Sequence, residues 1–306
     1  MDWIQLSYES KNIIDEYTKD RFATCDYNFT NQLLWSKGEN THFKIENDVL
    51  LLKGMYMEKE YYYMPIPKDE SSQCLENWKK IISDILDNEG RIILVPEYWK
   101  NLLENDFELV ETRDSFDYIY NSFDLGTLKG RKYSKKKNKI NNFNKTYSYI
   151  YEVITTENID EVIKFQNRWY EENRHIEVLN NENLGISILL ENYFSLNLKG
   201  AMIKVNNEMV AYTIGERLND EYAVIHIEKG LNSYNGSYQM INYLFAQNEL
   251  KNFKYINRED DFGNEGLREA KESYHPAMLL KKYEILKKNK KANLKGVNLW
   301  KKLSYY

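Results

Sequence analysis

One succession of periodicities constrains this chain more than any other feature, and it occurs twice. In the second half, Ala201, Ile203 and Val205 alternate with polar residues, as do Val210, Tyr212 and Ile214, and then Tyr222–Ile227. Asn206-Asn207 and Asn219-Asp220 separate these runs and suit the left-handed backbone of tight turns, so a three-strand meander is predicted. A strand at Tyr151–Thr155, a helix through Ile159, Val162, Ile163, Gln166 and Trp169-Tyr170, and a second helix over Leu184–Leu198 precede it. A loop at Glu228–Gly236 follows, then a helix at Ser237–Leu250, a strand at Phe253–Asn257, a short helix at Leu267–Ser273 and one final strand at Met278–Ile285.

The first half runs in the same order. Phe29, Leu33 and Leu34 keep helical spacing, with Asp26 or Asn28 as N-cap. Strands are predicted at Phe43–Glu46, Val49–Lys53 and Glu60–Met64, the first two joined by an Asn47-Asp48 turn and the last stopped by Pro65 and Pro67. Leu75, Trp78, Ile81, Ile82, Ile85 and Leu86 form one helical stripe, and Ile92–Val95 is a short strand ended by Pro96. Tyr98–Leu103 reads as helix, and Phe107–Thr112 and Phe116–Tyr120 as strands. The expected class is therefore α/β (α+β): two similar domains, each a mixed, mainly antiparallel sheet flanked by helices. A chain of 306 residues also exceeds one ordinary core. We place the domains at 1–147 and 148–306, with Lys129–Phe143 as an exposed helix joining them.

Two cysteines, Cys25 and Cys74, exclude a disulfide scaffold, and no Cys/His spacing suits a metal, so none is expected. No signal peptide is evident at the start, and no apolar run reaches the roughly 18 residues of a spanning helix. A cytoplasmic chain is expected, with peripheral contact at the inner membrane face left open. The net charge of −5 is unevenly spread. Lys129–Tyr151 holds eight basic residues and no acid, and nine lysines face only Glu284 from Lys281 onward. Two readings of the first block stay open: a polyanion-binding face, through Arg131, Lys132, Lys135, Lys136 and Lys139, or a solvated helix. The tail reads as a solvated, disordered segment or a second such face. The Tyr61–Tyr63 stripe reads as sheet packing.

Two segments can carry chemistry. His226, Glu228 and Lys229 gather where a strand ends before a helix whose N-terminal N–H groups attract anions; a satisfied sheet histidine is the plain alternative. The second is Asn257–Tyr283. Arg258–Asp261, Glu265 and Arg268 follow an apolar strand, Gly263 and Gly266 loosen the backbone, and Arg268 and Lys271 lie about one turn apart. Arg258, Arg268 and Lys271 are expected to hold one anionic group, with Lys229 assisting, and Glu259 or Asp260 to orient the nucleophile or take its proton. A solvated turn whose charges pair with one another is the alternative.

The element order matches the GNAT acetyltransferase fold, twice over. The chain also resembles the family of phosphatidylglycerol lysyltransferase C-terminal domains. Asn257-Arg258-Glu259-Asp260, Gly263, Gly266-Leu267-Arg268, Ala270-Lys271, Ser273-Tyr274 and Pro276 look like its last signature. His226–Lys229 with Gly236–Gln239, the basic block from Leu128 to Phe143, and Phe22–Trp35 resemble its earlier blocks. The resemblance implies a tandem GNAT fold and transfer of an aminoacyl group from aminoacyl-tRNA to an amine or hydroxyl. It implies no cofactor, with tRNA and an anionic membrane surface as partners. His226, Glu228, Lys229, Asn257, Arg258, Arg268, Lys271 and Tyr274 are then the substrate-binding set. Two departures bear on the acceptor: Ile227-Glu228-Lys229-Gly230 stands where the lipid synthases carry Asp-Leu-Met-Arg, and their flippase region is not found in this sequence. Residues 231–237, LNSYNGS, depart from the pyrophosphate loop Gln/Arg-x-x-Gly-x-Gly/Ala of acyl-CoA users, which makes acyl-CoA the second choice of donor. A non-catalytic RNA- or membrane-binding module is the third reading.

Overall fold

A computed structural model describes residues 2–56, 58–176 and 179–288. The chain divides into two compact units, described separately below. Residues 1–117, 260–268 and the C-terminal segment from 280 form the first; 118–259 and 269–279 form the second.

The first unit opens with β1 (Ile4–Gln5), α1 (Lys11–Thr18) and α2 (Phe29–Ser36). Asn28 is the N-cap of α2, its side chain accepting from the Asn31 N–H. The strands β2 (His42–Glu46), β3 (Val49–Tyr56), β4 (Lys59–Tyr63) and β5 (Ile66–Pro67) follow, then α3 (Ser72–Asp87), capped by Ser71. β6 (Ile92–Pro96), α4 (Lys100–Leu103) and β7 (Phe107–Glu111) complete the first pass. The sheet order is β1-β2-β3-β4-β6-β15-β7, where β15 is Lys282–Lys287 and β5 pairs with β3. Only β4/β6 is parallel among these pairs, as the crossover through α3 requires.

The second unit contains β8 (Asp117–Asn121), α5 (Ser122–Thr127), α6 (Ser134–Thr146), β9 (Tyr149–Val153), α7 (Ile159–Asn173) and α8 (Leu179–Glu191). The meander is β10 (Lys199–Val205), β11 (Glu208–Arg217) and β12 (Tyr222–Gly230), followed by α9 (Ser237–Asn248), β13 (Tyr255–Asn257), the second half of α10 (Glu265–Glu272, whose residues up to Arg268 belong to the first unit) and β14 (Met278–Leu280). The sheet order is β14-β8-β13-β12-β11-β10-β9. β12/β13 is its parallel pair, joined by α9. Ile203, Val210, Ile225, Ile241, Phe245 and Phe143 are among the buried core residues of this unit. Burial of each such side chain contributes roughly 1.5–3 kcal/mol.

Four expectations need correction. The units divide at Asp117/Tyr118, not near residue 148, because β8 pairs with β13 in the second sheet. The lysine-rich helix is not a linker: Ile140 and Phe143 of α6 are buried in the core of the second unit, a packing role its exposed lysines conceal. The expected final strand is two strands, β14 in one sheet and β15 in the other. β12 runs to Gly230, so Glu228 and Lys229 belong to a strand rather than a loop. The tail readings beyond Lys288 lie outside the described residues.

Candidate functional site

The site forms where two parallel strands part. β12 and β13 pair only from Tyr222/Tyr255 to Val224/Asn257. Just beyond, β12 carries a bulge: Gly215 of β11 faces Ile225 and Ile214 faces Ile227, so His226 has no partner across the ladder. Glycine is needed opposite, since a Cβ on Gly215 would lie 2.3 Å from the Val224 carbonyl oxygen. A bulge re-aims every side chain after it. Before it, Ala223 and Ile225 join the core with Met240 and Ile241 of α9. After it, Glu228 reaches α9 while Lys229 reaches α7 and α8.

Glu228 is held from two sides. Asn242 Nδ2 of α9 donates to Oε2 at 2.8 Å, and Arg258 Nη2 donates to Oε1 at 3.0 Å. The Arg258 guanidinium carbon lies 4.9 Å from the Tyr274 ring centroid and 5.6 Å from that of Tyr120. Two buried polar atoms beside this carboxylate have no hydrogen-bond partner among the described residues: Arg258 Nη1, a donor, and Asn242 Oδ1, an acceptor. Unsatisfied buried groups are costly, and these two flank one carboxylate at the strand split. Lys136 of α6 brings its Nζ to 4.1 Å from the Tyr274 ring centroid. Burial, then the Arg258 and Lys139 charges, pull its pKa down to about 8 against the pull of Glu228.

His226 is a strut. Its side chain is fully buried, with Nδ1 2.8 Å from Glu259 Oε1 and Nε2 2.9 Å from Glu216 Oε1. Burial opposes the charged ring, but the two carboxylates outweigh it and raise the pKa to about 9. The imidazolium therefore donates to both at neutral pH and ties the turn after β13 to β11. Asn257 sets that turn: its Oδ1 accepts from the Glu259 N–H at 2.7 Å, with Glu259 at φ 56°.

The expected residues thus separate. Arg258, Glu228, Tyr274 and Lys136 converge. Asn257, His226 and Glu259 shape the wall. Lys271 donates to the Arg258 carbonyl at 2.6 Å, and the Tyr120 hydroxyl donates to the Lys271 carbonyl at 2.8 Å, so this lysine braces the segment. Lys229 pairs with both oxygens of Glu182 at 2.7 and 2.8 Å and stacks 4.3 Å from the Trp169 ring centroid, on the face opposite Glu228. Arg268 belongs to the first unit and Arg258 to the second. In the first unit Arg268 makes two 2.8 Å bonds to Asp261 and one to Asp114, and Arg113 also meets Asp261. Burial of Asp261 makes that pairing structural. Asp260 Oδ1 accepts from the Phe262 N–H, and Glu259 is bound to His226, so both expected proton acceptors already have protein partners. Arg131, Lys132, Lys135 and Lys139 are exposed, on α6 or just before it.

Asn242, Glu216 and Tyr120 were missed. Asn242 had a signal: a polar residue beside Ile241 on the buried stripe of α9. Glu216 had none, because only the bulge brings it to His226.

One cluster could hold a cation. Cys25, Asp26 and Asp117 in the first unit place ligand atoms within 4.8 Å of one another. The ammonium of Lys282 stands there instead, 2.6 Å from Asp117 and 2.5 Å from Asp26.

With this geometry in view, the comparisons are informative. The family model for the C-terminal region of phosphatidylglycerol lysyltransferase matches residues 21–285. A conserved protein of unknown function from Bacteroides thetaiotaomicron is 33% identical, covering 94% of this chain and 100% of that one, with a TM-score of 0.82. L-PGS from Bacillus licheniformis is 14% identical with a TM-score of 0.64, over 93% of each chain. FemX, 10% identical with a TM-score of 0.55 over 93% of this chain and 97% of the other, has the same fold. An uncharacterised protein, MYCGA3080 from Mycoplasmoides gallisepticum, is 23% identical over 182 residues, 59% of this chain and 58% of its own length. The chain thus matches little more than half the length of that relative.

Proposed function

Because the chain belongs to the phosphatidylglycerol lysyltransferase C-terminal family, we propose that it moves an aminoacyl group from aminoacyl-tRNA to an amine or hydroxyl acceptor at the split between β12 and β13. The observation that carries this reading is the orphan pair beside Glu228: Arg258 Nη1 offers a proton and Asn242 Oδ1 a lone pair. An aminoacyl ester presents the complement, a carbonyl oxygen and an α-ammonium group. Glu228 adds a carboxylate to receive that ammonium. As the acceptor attacks, the carbonyl oxygen gains negative charge, and Arg258 Nη1 donates to it. In a water-poor site, one such donor is worth about 10²- to 10³-fold in rate. The exposed Arg131, Lys132, Lys135 and Lys139 offer the sugar-phosphate backbone of the donor a sequence-independent hold.

The test is discharge of pooled aminoacyl-tRNA with ethanolamine, a lysine-containing peptide, phosphatidylglycerol vesicles or water as acceptor. Wild type should discharge with at least one of them, and Arg258→Met should lose about 10²- to 10³-fold. Equal rates remove this site. Stabilisation by acetyl-CoA and none by charged tRNA would replace the donor.

A further inference from the structure

Lys136 is a basic residue of the α6 block whose surroundings do not suit a phosphate contact. It lies one turn before Ile140 on the side of the helix that packs inward, and it is half-buried while Lys135 and Lys139 are exposed. Its Nζ makes no hydrogen bond or ion pair among the described residues and lies over the face of Tyr274, 4.1 Å from the ring centroid. That same ring has the Arg258 guanidinium 4.9 Å from its centroid. An amine placed beside a buried guanidinium, with no carboxylate of its own, is poorly suited to carrying a second positive charge.

We propose that Lys136 is the general base of the transfer, an uncharged amine that takes the proton from the attacking acceptor. The inference rests on the transferase reading above and adds a catalytic residue to it. The acceptor nitrogen or oxygen forms a bond to the ester carbonyl carbon, and the carbonyl electron pair moves to the oxygen facing Arg258. The proton of the acceptor passes to Lys136 Nζ. Collapse of the tetrahedral adduct breaks the ester C–O bond, and Lys136 returns the proton to the departing ribose oxygen, so no outside acid or base is consumed. The groups that set its charge are Arg258 after β13 and Lys139 on its own helix, which oppose it, and Glu228 of β12, which favours it, with the Tyr274 ring after α10 against the amine. Its titration near 8 places a usable fraction of free amine at physiological pH, where a general base is most effective. The two carboxylates expected from sequence for this task, Glu259 and Asp260, are bound elsewhere.

Two measurements on the full chain test this. Trace acetylation with acetic anhydride from pH 6 to 11, read by mass spectrometry, gives the titration of each lysine without any need for activity. Lys136 should label with a midpoint near 8 and Lys135 near the ordinary lysine value of about 10.4. A Lys136 midpoint above about 10 overturns the inference whether or not transfer is seen. The second is the pH profile of aminoacyl-tRNA discharge. The wild-type rate should climb with pH and level off near 8. Lys136→Met and Lys136→Arg should each lose about 10²-fold or more in kcat together with that limb, while tRNA affinity falls no more than in Lys135→Met. Retention of the limb in either variant overturns the catalytic role. Absence of discharge by wild type, with Lys136 labelling near 8, overturns the transferase reading and the role that depends on it.

Discussion

His226 illustrates how one side chain can be both a strut and a titration site. Its ring is flanked by Glu216 and Glu259, and its pKa rises from 6.5 to about 9. A group whose folded pKa lies above its unfolded value stabilises fully below the unfolded pKa and loses that contribution as pH rises through the folded one. The window here is therefore roughly 6.5 to 9. The shift is worth about 3 kcal/mol at 1.36 kcal/mol per pH unit. Urea unfolding at pH 6, 8 and 9.5 should show wild type losing about 3 kcal/mol across the range, with His226→Gln lower at pH 6 and flatter. Parallel curves for the two proteins would show that the strut is not charged. Sequence marked His226 as a candidate ligand-binding residue or a satisfied sheet histidine, and the second holds for its contacts. What could not be read was the partner set, because Glu216 and Glu259 meet it through a bulge that leaves no trace in periodicity.

At the scale of elements, most strands and helices were legible, since alternation and helical stripes follow burial on one face. Three failures share a cause: a residue's partner lies far away in sequence. β14 and β15 read as one strand because nothing between Leu280 and Lys282 announces a change of sheet. α6 read as a solvated linker because its five lysines, with three more basic residues just before it, hide Ile140 and Phe143. Glu228 read as loop because a strand that leaves its neighbour keeps its own backbone extended. The packing of α6 on the start of α9 gives the sharpest test at this level. Gly236 sits at φ 96°, and a Cβ there would lie 2.9 Å from the Lys139 carbonyl oxygen. Gly236→Ala combines a left-handed backbone with a helix carbonyl that cannot retreat freely, so it should cost about 1–3 kcal/mol in chemical denaturation. A loss under about 0.5 kcal/mol would mean that α6 is free to shift and does not fix Lys136.

Across the whole molecule, charge decides what kind of partner can be met. The chain carries a net −5, so long-range attraction to a polyanion must come from a local field rather than from the total. Many surface charges are already spent: Lys79 on Asp106, Arg168 on Glu208, Lys254 on Glu221 and Lys281 on Glu111 are ion pairs. The basic face of the second unit differs. Lys135 and Lys139 are exposed and Lys132 meets Asp124 only at 3.5 Å, so this stretch retains positive charge toward solvent. If it grips tRNA, each lysine that neutralises a phosphate contributes about 0.7–0.9 to the slope of log affinity against log salt. Replacing Lys132, Lys135 and Lys139 together with methionine should lower that slope by about 2 and weaken binding uniformly across tRNA species. Filter binding of uncharged tRNA between 50 and 200 mM KCl, about the range over which such slopes are resolved, measures it. An unchanged slope would take the donor off this face. Loss of discharge at high donor concentration, with the slope reduced as expected, would mean that these lysines do more than hold the backbone. A deficit confined to KM would keep them as a grip and leave the chemistry to Arg258 and Lys136.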